Sequence, residues 1–224
     1  MQVKGSDCVT LAGFMVERIT NTPKHTERLR TVLDRLVGWG FPPEVQQRIG
    51  ALGIVWGVFE TNLESALWAF RDEDVAGVRP STDNSTVSEW IKEFGEGSYK
   101  FDKDVQDILQ LASLTANDLM EYRHALVHGW LIPFPSGPTF IRNPRWNGEL
   151  RKRESNDAHV DENLLDMAID AVWVLCNIVF SARTACKNSS AAQQLLVMKT
   201  DLARARSQAL ELRHLTAFMN HEKC

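Results

Sequence analysis

With 224 residues, 44% of them hydrophobic, the chain can bury one substantial core without disulfides or metals. Lys and Arg number 25 against 29 Asp and Glu, a net charge of -4 that excludes whole-protein attraction to polyanions, so any nucleic-acid contact has to be local. The four cysteines, Cys8, Cys176, Cys186 and Cys224, are scattered and form no CxxC pair, which fits neither a zinc site nor a disulfide framework; they read as reduced thiols.

The first residues, MQVKGSDCVTLAGF, break their apolar positions with Lys4, Ser6 and Asp7 and lack the continuous apolar centre of a signal peptide, so a cytoplasmic protein is expected. Residues 25–37 place Leu29, Val32, Leu33, Leu36 and Val37 at helical spacing and run into Gly38, Gly40, Pro42 and Pro43, a helix with a sharp stop. From about 43 to 70, Ile49, Leu52, Val55, Trp56, Phe59, Leu63, Ala66, Leu67 and Phe70 recur every three or four residues and mark a long core helix. Gly50, Gly53 and Gly57 weaken it, and their spacing suggests either a strip where another helix approaches closely or a kinked start.

Residues 71–88 carry turn formers and read as a loop, followed by a short helix over 87–94. From Lys103 an apolar stripe continues through Ile108, Leu109, Leu119, Tyr122 and Leu126 to Gly129, the expected C-terminal cap. Trp130–Pro133 and Thr139–Arg142, separated by a Phe134–Pro138 turn, predict a small hairpin that its prolines confine to a sheet edge. A very apolar helix follows over 161–186, whose strongest run, Ala171 to Phe180, contains Asn177 and is too short to cross a bilayer. A last, more charged helix is expected over about 191–219. The sum is an all-α single domain over 1–224 with five or six helices, not associated with a membrane.

Residues 121–130 read EYRHALVHGW. His124 and His128 are four apart and share a helix face, with Arg123 about 100° away from His124. At a helix end, His128 meets unpaired carbonyls and the negative end of the dipole, which favour the imidazolium. Arginine is a permanent forked cation suited to phosphate oxygens, and histidine exchanges protons near neutral pH. Together they supply two elements of phosphodiester cleavage.

The string RHALVH resembles the R-x4-H motif of the HEPN superfamily, in which a polar residue commonly follows the Arg; Arg123, His124 and His128 fill those positions, followed by Gly129. By helix order the resemblance covers about 45–186, flanked by the helices over 25–37 and 191–219. It implies a HEPN-like antiparallel helical bundle that dimerises to form one composite cleft and cuts RNA without a metal or other cofactor. In such a site His128 acts as general base or acid, Arg123 stabilises the phosphorane, and His124 orients them or binds phosphate. A toxin or defence effector with an inhibitory partner protein is the implied setting. The competing reading is a non-catalytic dimerisation or nucleotide-binding module of the same family.

Glu60 and Glu64, four apart on the long early helix, are candidates to orient Arg123. Beyond the hairpin, Arg142, Arg145, Arg151, Lys152 and Arg153, interleaved with Trp146, can track a phosphate backbone, and Trp130 can stack a base or pack against a partner. The histidine pair could also begin a metal site, but a third ligand is missing nearby and His159, His214, His221 and Cys224 are remote in sequence, so no metal is expected.

Overall fold

A computed structural model describes residues 23–134, 137–141, 145–146, 149–150 and 157–221. The chain divides into two compact units, Met1–Phe41 and Pro42–Cys224, where the sequence predicts one domain. The first contains α1, Pro23–Gly38. Its apolar stripe is that of Leu29, Val32, Leu33 and Val37, and Gly40 at φ 85 provides the left-handed turn that stops it.

The second unit is built from six further helices among the described residues and a small sheet. The helices are α2 Pro43–Phe70, α3 Val87–Glu96, α4 Lys103–His128, α5 Glu162–Ala185, α6 Ser189–Val197 and α7 Lys199–His221. Local chemistry sets their starts. Pro43 opens α2 where its missing N–H costs nothing, Thr86 and Glu89 form a reciprocal capping box on α3, and Asp102 and Asp161 accept from the backbone N–H groups of Val105 and Leu164. The predicted final helix is two: the Met198 N–H donates back to Gln194 and Leu195, closing α6 before α7 begins, and no Gly or Pro marks that break.

Packing sorts these helices. α2 lies along α5, burying Leu52, Trp56, Phe59 and Leu63, and Arg48 at its start pairs with Glu162 and Asp166 at the start of α5. Further along, the Cys176 thiol meets the Val55 carbonyl, so these two helices run parallel. α4 and α7 are also parallel, since Leu114 and Asp118 meet Arg206 while Asp118 and Glu121 meet Arg213. α3 with α4 and α5 with α7 are antiparallel, as the Ser88–Met120 and Gly95–Ser113 contacts and the Asp170–Arg204 and Ser181–Met198 contacts require. The expected antiparallel bundle is therefore a mixed one, because each parallel pair is joined through intervening elements long enough to return the chain to its starting end. α7 belongs to the core rather than flanking it: Leu202, Ala205, Ala209 and Leu212 are fully buried.

Gly50, Gly53 and Gly57 face outward, and a Cβ on any of them would meet nothing within 4 Å, so within the second unit no described helix approaches along that strip. α5 is long and apolar enough by length and composition to cross a membrane, more than its central apolar run indicates; here 56% of that stretch is buried inside the bundle.

The hairpin forms as β1 Trp130–Phe134 and β2 Gly137–Ile141, with Pro133 opposite Pro138. It is not purely an edge feature, because β5, Ala158–His159, pairs with the far side of β2 and makes β2 the centre of a three-stranded antiparallel sheet. Between them β3, Arg145–Trp146, and β4, Glu149–Leu150, form a separate two-stranded ribbon.

Candidate functional site

The last two turns of α4 carry the motif and are anchored from below. Ala125 and Leu126 are buried, as is Tyr122, whose hydroxyl donates to the His159 carbonyl at 3.1 Å. That bond ties the motif helix to β5, and burial pushes the Tyr122 hydroxyl above its ordinary range, so it serves as an anchor rather than an acid. His159, remote in sequence, is thereby brought to the flank of α4, where its Nδ1 lies 3.3 Å from the Thr139 hydroxyl.

Gly129 ends the helix, but not as a left-handed cap. Its φ of -77 and ψ of 157 are extended, its N–H donates to the Ala125 carbonyl at 2.8 Å, and the chain passes directly into β1. The glycine is needed for close approach: a Cβ would fall against the Ala125 oxygen and 2.8 Å from Phe140 Cβ. This tight exit places Trp130, 76% exposed, two residues from His128.

On the outer face, Arg123 and His124 are half-buried and His128 is exposed. The two imidazoles stand 5.7 Å apart, centroid to centroid, with their planes inclined at 61°. Arg123 has no carboxylate or other hydrogen-bonding partner among the described residues. The last two turns of α4 thus carry a permanent cation and two imidazoles, residue types that bind phosphate and exchange protons.

Neither expected carboxylate reaches Arg123. Glu60 accepts from the indole N–H of Trp56 at 2.5 Å, and Glu64 accepts from the Thr82 hydroxyl at 2.6 Å, which in turn accepts from the Trp68 indole. Both sit on α2, whose extended neighbours are α5 and α3, while α4 lies along α7 and α3. Of the expected RNA-contacting residues, Arg145 falls in β3, while Arg142, Arg151, Lys152 and Arg153 lie outside the described residues, as do Cys8 and Cys224. Cys176 is buried and its thiol is pushed up to about 11, which suits packing and not nucleophilic chemistry. Among the described residues no group of three or more His, Cys, Asp or Glu is placed to hold a metal ion.

Sequence reasoning missed a neighbouring cluster. Asp118, only 4% exposed at its side chain, lies on α4 five residues before Arg123 and pairs with both Arg206 and Arg213 of α7. Arg206 also donates to the Leu114 carbonyl at 3.0 Å, and Arg213 comes within 4.0 Å of Glu121, the first residue of the motif segment. A signal existed: Asp118 interrupts the apolar stripe at a core position, and a buried carboxylate needs cations.

No family model, curated protein or solved structure matches this chain.

Proposed function

We propose that the protein is a metal-independent endoribonuclease of HEPN type, acting as a homodimer in which two copies of the α4 terminus share one cleft. The observation that carries this reading is the combination at the end of α4: an Arg123 guanidinium with no carboxylate partner among the described residues, on the same two turns as two imidazoles 5.7 Å apart. His128 removes the proton from the ribose 2′-hydroxyl, whose oxygen attacks the adjacent phosphorus. Arg123 holds the doubly charged equatorial oxygens of the phosphorane. The second copy of His128 protonates the departing 5′-oxygen, leaving a 2′,3′-cyclic phosphate and a 5′-hydroxyl. His124 binds phosphate or orients its neighbours. The local cations and Trp130 make the RNA contact local, as the acidic net charge demands. A toxin or defence effector held by an inhibitory partner is the setting we favour.

The test is cleavage of mixed single-stranded RNAs by the purified protein in excess chelator, with analysis of the product ends. Cyclic-phosphate ends are expected, and Arg123→Ala or His128→Ala should each lower the rate by about 100-fold or more. Intact RNA with the parent, or parent-like cleavage by both variants, rejects the nuclease. The exposure of Val127 (56%) and Trp130 (76%) around His128 favours a second reading, a non-catalytic dimerisation or nucleotide-binding module. In that case the same variants change association while cells expressing the parent grow normally.

A further inference from the structure

A cleft of about 740 Å³ opens where the C-terminal ends of α2 and α5 come side by side, within the range typical of small-molecule sites. Its lining divides by chemistry. One side is the end of α2 and the loop behind it, where Trp68, Ala69 and Val75 give apolar surface. Three acidic groups stand on that side, and two of them are paired with cations, Asp72 with Lys100 and Glu73 with Arg71. Asp72 holds Lys100 at 2.5 Å, Glu73 accepts from the Ser81 backbone and hydroxyl, and Asp74 accepts from the Ala76 N–H.

The opposite side is the end of α5 and the turn into α6. Arg183 and Lys187 line it, and neither has a carboxylate partner among the described residues. The Arg183 guanidinium stacks 5.1 Å over the Phe180 ring, a contact that orients the fork without neutralising it. Asp74 keeps its charge, since an amide N–H does not neutralise a carboxylate, so the unpaired groups of the cleft are one anion against two cations, a net positive remainder beside the apolar side chains of Trp68, Ala69 and Val75.

Asp72 at φ 54 is the one non-glycine residue in the left-handed region among the described residues, and it sits on the rim. It is held there by Lys100, which also donates to the Ala69 carbonyl at 3.1 Å, and by the Tyr99 hydroxyl at 3.3 Å. It follows the end of α2, where the Glu73 N–H returns to the Trp68 carbonyl at 2.9 Å, so its left-handed backbone closes the helix and fixes this wall of the cleft.

We propose that this cleft binds a small amphiphilic organic anion, its phosphate or carboxylate on Arg183 and Lys187 and its apolar body against Trp68, Ala69 and Val75. The site is separate from the RHALVH cluster. Lys100 stands just before the first residue of α4 and His128 is its last, so 26 helical residues, roughly 40 Å at the usual rise, separate the two. The proposal therefore stands or falls independently of the ribonuclease.

The cleft carries its own reporter, the half-buried thiol of Cys186 on its lining. Alkylation of Cys186 by iodoacetamide in the purified full chain, followed by peptide mass spectrometry, should slow several-fold in phenyl phosphate. Calorimetry should show saturable binding of the same probe. Inorganic phosphate, which lacks the apolar body, and benzyl alcohol, which lacks the charge, should each protect less. The double variant Arg183→Gln/Lys187→Gln should weaken phenyl phosphate about tenfold or more, the loss expected for charge-assisted bonds. Val75→Glu, which places a carboxylate on the opposite wall and leaves α5 untouched, should weaken it as well. RNA cleavage by the double variant should equal that of the parent. Absence of saturable binding with unchanged Cys186 alkylation overturns the proposal, as does equal affinity in the double variant or equal protection by either fragment probe.

Discussion

Two stretches of the same helix handle charge in opposite ways. At Asp118, α4 buries a carboxylate and surrounds it with two guanidiniums from α7; five residues further on, Arg123 presents a guanidinium with no carboxylate partner among the described residues. A buried charge without partners costs several kcal/mol, so the Asp118 cluster has to be complete for the helices to pack. At the partly exposed outer face water can meet that need, and our proposed function assigns the charge of Arg123 to a ligand. Charge paired across two helices belongs to the fold, whereas the cluster at the helix end is the part to which we assign chemistry.

The sharpest way to break this contrast is at the reactive end. His128→Ala should lower RNA cleavage by about 100-fold or more while leaving the chemical-denaturation midpoint in place. A large loss of stability in that variant would make the histidine structural. Next comes Asp118→Ala, which strands Arg206 and Arg213. Because Arg213 is half-exposed and keeps access to water, the loss in unfolding free energy should fall at the low end for a broken buried pair, about 3 kcal/mol. Arg123→Ala, measured in the same urea titration, should change it by less than about 0.5 kcal/mol. Equal effects of the two substitutions would erase the distinction.

Gly129→Ala tests the junction between the two behaviours. The new methyl meets the Ala125 carbonyl and Phe140, so a loss of about 2 kcal/mol is expected from overpacking, with the β1 exit displaced. Unchanged stability would mean that the hairpin moves aside freely and that Trp130 is not held near His128.

The smallest effect concerns pH. Burial pushes the Cys176 thiol up to about 11 and shifts the Tyr122 hydroxyl upward for the same reason. The unfolded chain therefore releases these protons first as pH rises, and the stability present at neutral pH is lost progressively above about 9. Unfolding free energy measured from pH 8 to 11 should fall, and Cys176→Ala should flatten that fall. An unaltered slope would place the alkaline sensitivity elsewhere.

The 3.6-residue recurrence of apolar side chains located α2 at 43–70 and α4 from Lys103, and turn chemistry located the hairpin. Those features are local: each depends on residues three or four apart, or on two strands meeting across a short turn. The same locality made Arg123, His124 and His128 legible as one cluster, since a single helix turn joins them. β5 escaped notice because two residues carry no periodicity, and the α6–α7 break because Met198 carries no helix-breaking signal.

What the sequence determined by itself was the helical character, most element boundaries and the composition of the motif face. Tertiary structure alone decided the company that face keeps. Arg206 and Arg213 reach Asp118 across 88 and 95 residues of chain, and Glu60 and Glu64, plausible partners by spacing, are taken up by Trp56 and Thr82 because α2 lies along α5. Periodicity fixes which side of a helix is buried but not which helix buries it, and that second choice kept Glu60 and Glu64 away from the Arg123 guanidinium.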